Sequence, residues 1–184
     1  GEEYERALEY YAWVIEHDAR GDLARDALQN YATVCKTIQS WDRAVTAFEL
    51  MLHHHEVDDV ESQTRFDIAY CYYRDGKYDR AAAMFESVLP ELEGALLKAE
   101  AQYWIGASRF EQEDYDQAVN EYLKVSYNYP DLAQWAATAE LKAADACLRM
   151  GKTERARTLL ERVVDKYGPT SDWGSEAVKV LDRL

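Results

Sequence analysis

The sequence predicts an all-α fold, an α-solenoid of stacked antiparallel helical hairpins closed by a C-terminal capping helix. Three observations predict it. A five-residue pattern recurs as Glu3-Tyr4-Glu5-Arg6-Ala7, Ser40-Trp41-Asp42-Arg43-Ala44, Lys77-Tyr78-Asp79-Arg80-Ala81 and Asp114-Tyr115-Asp116-Gln117-Ala118, with a weaker copy at Lys152-Thr153-Glu154-Arg155-Ala156. Its alanines lie 37, 37, 37 and 38 residues apart, and a fixed period of this length is the signature of a repeat architecture. Only 8 Gly and 3 Pro punctuate 184 residues, too few for a many-stranded sheet and in keeping with long helices joined by short turns.

The elements follow in order. A large residue stands four positions after each alanine (Tyr11, Phe48, Phe85, Tyr122, Leu160) and an apolar one three positions later (Val14, Met51, Val88, Val125, Val163). Offsets of four and seven share one helical face, which defines a helix B. Upstream of all but the first alanine runs a second helical pattern, helix A, carrying a small residue: Ala32, Ala69, Gly106 or Ala144. A small side chain there, facing the alanine of helix B, lets two antiparallel helices approach closely while the large residues fill the space above and below. Gly76 and Gly151 stand in the A-to-B turn of two copies, where a left-handed helix stop is needed. The expected map is one solenoid domain over 1–184. It has a partial repeat at about 1–20, repeats at about 21–57, 58–93, 94–130 and 131–168, and a capping helix at about 172–184. The N-terminal end, which begins inside a repeat, is expected to be a fragment of something longer.

A small residue in helix A, then Gly-x-Tyr-Asp-x-Ala, an aromatic at plus four and a proline after helix B resemble the tetratricopeptide repeat. The fullest copy is Ala99 to Asp131, with Gly106, Tyr115, Ala118, Tyr122 and Pro130 in place. The resemblance implies a right-handed superhelix, a TPR-like solenoid, that binds proteins and has no catalysis. The sequence departs from the family in its period and in helix A. Leu28, Arg65, Gln102 and Glu140 replace the usual early aromatic, and Arg109 replaces a tyrosine. The surplus residues, as in Leu132-Ala133-Gln134-Trp135-Ala136, lengthen helix A. Long repeats ending in Tyr-Pro-Asp are similar to those of bacterial cell-envelope proteins, the Tol-Pal-associated periplasmic protein and the outer-membrane-assembly lipoprotein, which implies the envelope or periplasm over the cytoplasm.

Charge and composition exclude other classes. The net charge of -14, from 35 acidic and 21 basic residues, opposes nucleic-acid binding, which needs a basic face, and binding to anionic membrane surfaces. No apolar run reaches the ~18 residues of a membrane span. Three cysteines, Cys35, Cys71 and Cys147, fall in apolar helical stripes on separate A helices and read as buried free thiols. His53-His54-His55 with Glu56, Asp58 and Asp59 is the one cluster of metal-ligand types. Consecutive helical residues diverge by about 100° and cannot converge on one ion, so no metal site, cofactor or catalytic residue is assigned.

What remains is the outer face of the A helices, which in such a stack lines a concave groove. The helical offset places Phe66, Tyr70 and Tyr73 there, with Asp67 beside them, and in the next repeat Tyr103 and Phe110 with Trp104 alongside. Asn30 and Thr33 flank them on one side and Leu141, Lys142 and Asp145 on the other. Rigid rings suit capture of a peptide; equally, they can pack between successive A helices. Binders of acidic tails in the resembled family clamp the carboxylate with Lys, Arg and Asn. Asp67, Glu100 and Glu111 on this face point instead to a partner with apolar anchors and basic residues. Two other readings stand beside the scaffold: self-assembly into a homo-oligomer, and a helical-toroid enzyme, against which the regularity of the repeats argues.

Overall fold

The computed structural model describes residues 2–17, 22–54 and 58–184. Among the described residues there are ten helices and no strand: α1 Glu2–His17, α2 Asp22–Thr37, α3 Trp41–His54, α4 Asp58–Arg74, α5 Tyr78–Val88, α6 Ala95–Glu111, α7 Tyr115–Asn128, α8 Ala133–Arg149, α9 Thr153–Tyr167 and α10 Asp172–Leu181. The odd-numbered helices are the B helices of the repeat, α2, α4, α6 and α8 the A helices, and α10 the expected cap. They gather into two compact units, Gly1–Met84 and Phe85–Leu184.

In the first unit α1 packs on α2, α2 on α3 and α3 on α4. The repeat's own positions build the core: Ala32 and Cys35 of α2, Ala44, Phe48 and Met51 of α3, Ile68 and Cys71 of α4, with Leu8 of α1. In the second unit α6 to α10 pack in sequence, and α10 also reaches α8. Ala118, Tyr122 and Val125 of α7 and Ala156, Leu160 and Val163 of α9 are buried. Ala44, Ala81, Ala118 and Ala156 are all fully enclosed, and Ala7, in a repeat with no A helix here, is half-buried. The three cysteines are buried free thiols.

The A-to-B turns are more uniform than their residues suggest. In each, an N–H five residues on closes back over the helix end: Ser40 to Cys35 O at 2.8 Å, Lys77 to Tyr72 O at 2.9 Å, Asp114 to Arg109 O at 3.0 Å and Lys152 to Cys147 O at 2.9 Å. This bond requires a left-handed residue at the stop. Gly76 and Gly151 supply it, and so do Gln39 at φ 59° and Glu113 at φ 61°, which a search for glycine passes over.

The small residue of helix A does a different job from the one the repeat pattern suggests. A Cβ added to Gly106 would lie 2.8 Å from Cδ1 of Tyr122 and 3.0 Å from its Cε1. Gly106 therefore admits the large ring four residues beyond Ala118, and the closest approach is not to the alanine itself. Polar residues replace the family's early aromatic by bonding across the hairpin. Gln102, buried, donates to Glu121 Oε2 at 2.7 Å. Glu140, 3% exposed, accepts from Arg162, whose Nη2 lies 3.2 Å from its Oε1. Arg109 bonds Glu86 at 2.6 Å.

Candidate functional site

Each unit presents its own face of A helices. In the first, Asn30 and Thr33 of α2 are exposed, Thr33 turning its hydroxyl onto the Gln29 carbonyl at 2.8 Å. Phe66 does not line a groove: it is 6% exposed and belongs to the core. One turn of helix separates Phe66 from Tyr70, yet the first points inward because α4 is covered over more of its circumference than a single apolar stripe implies. Asp67 is no open acid either, since Lys36 of α2 binds its Oδ1 at 2.6 Å. The Lys36 ammonium also lies over the Tyr70 ring at 5.7 Å. Tyr70 and Tyr73 are half-buried, the first accepting a bond from Arg74 at 2.9 Å, the second edge-on to Tyr78 at 5.5 Å.

In the second unit Tyr103 is a wedge. Its ring lies 5.3 Å from Trp135 of α8, 5.4 Å from Tyr122 of α7 and 5.3 Å from Trp104, and burial raises its phenol pKa. It packs between successive A helices, the second of the two roles open to it in the sequence. Trp104 is half-buried, its indole N–H donating to Glu100 at 3.3 Å. Phe110 is half-buried, edge-on to Tyr115 at 5.2 Å, with the Arg149 guanidinium 5.8 Å from its ring. Lys142 is exposed.

The concavity on this face lies one helix farther on. A cleft of about 340 Å³ opens between α8 and α10, lined by Leu141, Lys142, Asp145 and Leu148 of α8 and by Glu176 and Val180 of α10. Ala144 of α8 and Leu160 of α9 add to its apolar lining, and its three charged side chains include Asp145, 3.7 Å from Arg149, and Glu176, 3.5 Å from Lys179. The repeat pattern pointed to Leu141, Lys142 and Asp145; it missed Glu176 and Val180, because a cap outside the repeat register has no position to read them from. A second cleft of about 350 Å³ lies in the first unit among α1, α2 and α3, with Ile15, Leu28, Ala47 and Leu50 inside and Arg43 bonded to Tyr31 at 3.1 Å on its edge.

Among the described residues no three or more His, Cys, Asp or Glu converge as metal ligands, and no helix is long and apolar enough to cross a membrane. His55 and Glu56 of the histidine run lie outside the described residues.

Comparison with known proteins bears on the fold. Residues 66–133 and 138–169 match family profiles for the tetratricopeptide repeat. Among solved structures, MamA residues 41 to the end from Desulfovibrio magneticus RS-1 is 16% identical, with 92% of this chain and 88% of that one covered at a TM-score of 0.72. YrrB, described as a TPR protein with an unusual peptide-binding site, is 19% identical, covering 97% and 84% at 0.69. The nearly identical TPR-like repeats of a putative kinesin light chain from Podosopora anserina are 15% identical, covering 92% and 89% at 0.71. No curated protein sequence matches the chain.

Proposed function

This chain is built from tetratricopeptide repeats, and from that premise we propose that it is a protein-protein interaction scaffold which holds a peptide or partner protein on its A-helix face, without catalysis. The observation that carries this reading is the α8–α10 cleft, where Leu141, Leu148 and Val180 form an apolar floor beside Lys142, Asp145 and Glu176. A concave, mainly apolar site with a few charged groups at its edge suits one anchoring side chain and reads its neighbours by charge. The ligand is a segment with an aliphatic or aromatic anchor flanked by Lys or Arg, which the two rim carboxylates and the net charge of -14 both favour. YrrB, a TPR protein with an unusual peptide-binding site and a like fold, is in keeping with it. For the place of action, the long repeat ending in Tyr129-Pro130-Asp131 supports the bacterial cell envelope, a reading that fractionation of cells making the tagged protein tests directly.

The scaffold reading is tested by panning a phage-displayed peptide library on the full chain and titrating the selected peptides calorimetrically. Peptides with an apolar anchor and basic flanks are expected. Leu148→Ser and Asp145→Lys should each weaken them tenfold or more without moving the thermal midpoint. Undiminished affinity in both variants removes the site from this cleft.

A further inference from the structure

On the B-helix side of the second unit a cleft of about 310 Å³ runs between α7 and α9. Leu123, Ser126 and Tyr127 of α7 line one side, Arg162 and Lys166 of α9 the other, with Glu140 of α8 between them. The first unit builds the same cleft from the same repeat positions. Ala12, Ile15 and Glu16 stand there for Leu123, Ser126 and Tyr127, Leu28 for Glu140 and Leu50 for Arg162. An apolar pair thus serves the repeat at the two positions where the second unit carries an ion pair. Exchanging a buried ion pair for apolar residues is commonly neutral or stabilising, so packing gives Glu140 and Arg162 no advantage over leucines. Their charge is explained by what the cleft meets.

The geometry of the pair fits it for an anion. Glu140 is 3% exposed and holds Arg162 by two bonds, Nε to Oε2 at 3.2 Å and Nη2 to Oε1 at 3.2 Å. That grip orients the guanidinium and leaves Nη1 to donate, on a side chain that is 49% exposed. Lys166, one turn farther along α9, is exposed and pairs with no carboxylate among the described residues. Tyr127, 85% exposed, adds a phenol at the lip. Glu121 of α7 is closed by Lys124 at 2.8 Å and by Gln102 at 2.7 Å, and Glu161 and Asp165 of α9 do not line the cleft. One buried carboxylate against two cations leaves the lining with a single positive charge, in a chain whose net charge is -14.

We propose that this cleft binds the side-chain carboxylate of an Asp or Glu in a partner protein, received by the free end of Arg162 and the Lys166 ammonium, with an apolar neighbour of that residue resting on Leu123. A monoanion matches the single positive charge. A phosphorylated residue, at about two negative charges, would leave negative charge in excess on an already acidic chain. The site is separate from the α8–α10 cleft, and the charge it selects is the opposite one.

The probe is the blocked pentapeptide acetyl-Gly-Leu-Glu-Leu-Gly-amide, titrated into the isotopically labelled full chain and followed by nuclear magnetic resonance. Saturable shifts are expected at Tyr127 and at the Arg162 Nε–H, with affinity at least fivefold lower for the peptide carrying Gln in place of Glu. The same loss is expected in Lys166→Glu, which changes an exposed side chain and should keep the helix signal. The double variant Glu140→Leu, Arg162→Leu, which installs the leucine pair of the first unit, should fold and lose the response. Leu148→Ser in the α8–α10 cleft should leave it unchanged, so the two sites fail separately. Absence of saturable shifts at the cleft, equal binding of the Gln peptide, or full affinity in Lys166→Glu or in the folded double variant overturns the proposal. So does tighter binding of the same peptide with phosphoserine in place of Glu, because the ligand would then be a phosphate.

Discussion

Replacing Gly106 by alanine sets two effects of similar size against each other, and the geometry decides between them. In a helix interior alanine is favoured over glycine by about 1 kcal/mol, and three of the four A helices already carry alanine at this position, as Ala32, Ala69 and Ala144. By repeat consensus the change should stabilise. In the fold, the new methyl would sit 2.8 Å from Cδ1, 3.0 Å from Cε1 and 3.1 Å from Cγ of Tyr122, a ring only 2% exposed and wedged against Tyr103 at 5.4 Å. The ring has no free side to move toward, so the overpacking costs about 1–3 kcal/mol. The net expectation is a loss of up to about 2 kcal/mol, or a fall of up to roughly 8 °C in the thermal midpoint for a chain of this length. Helix signal at 222 nm against temperature and urea reads it. Adding Tyr122→Leu, which recreates the pairing of Ala144 with Leu160, should relieve much of that overpacking. A midpoint that rises in Gly106→Ala alone would show that Tyr122 yields freely and would refute the account of what the glycine is for.

Four further outcomes are expected. Glu113→Gly should stabilise the second unit by about 1 kcal/mol in urea unfolding, since Glu113 is held at φ 61°, a left-handed conformation that costs a side chain roughly that much. Tyr103→Ala should destabilise by about 1–3 kcal/mol as a half-buried ring packed on Tyr122 and Trp135 is lost, while Lys142→Ala, exposed in the cleft rim, should leave the urea midpoint in place and change only peptide affinity. Arg162→Ala should cost about 1–3 kcal/mol because it strands the 3% exposed Glu140 carboxylate, whereas Lys152→Ala breaks an exposed 2.6 Å pair with Asp116 and should cost less than about 1 kcal/mol. Burial pushes the Cys71 thiol from 9.0 up to about 12, so the unfolded chain gives up this proton first. That contribution is whole below pH 9 and is lost as pH rises toward 12. Stability measured over that window should fall less steeply in Cys71→Ala.

Helix identity and order were legible in the sequence because the repeats share one packing pattern. The same apolar spacing therefore recurs at Ala44, Ala81, Ala118 and Ala156, and all four are enclosed as that spacing requires. Tertiary structure decided what helical spacing leaves open. An A helix touches its own B helix and the adjoining helices, so position along its axis does not say which sides are covered. Phe66 and Tyr70 are one turn apart, yet one is core and the other half-buried. Tyr103 became a wedge only because Trp135 arrives from the next A helix at 5.3 Å, a contact that no residue pattern within either helix announces. Asp67 reads as an acid of the open face until Lys36 is placed beside it, and Glu140 stands where the resembled family has an aromatic until Arg162 shows its partner. The left-handed stops at Gln39 and Glu113 carry no glycine to signal them; the bond from the N–H five residues on holds each in place, and that bond exists only once helix A has turned back into helix B.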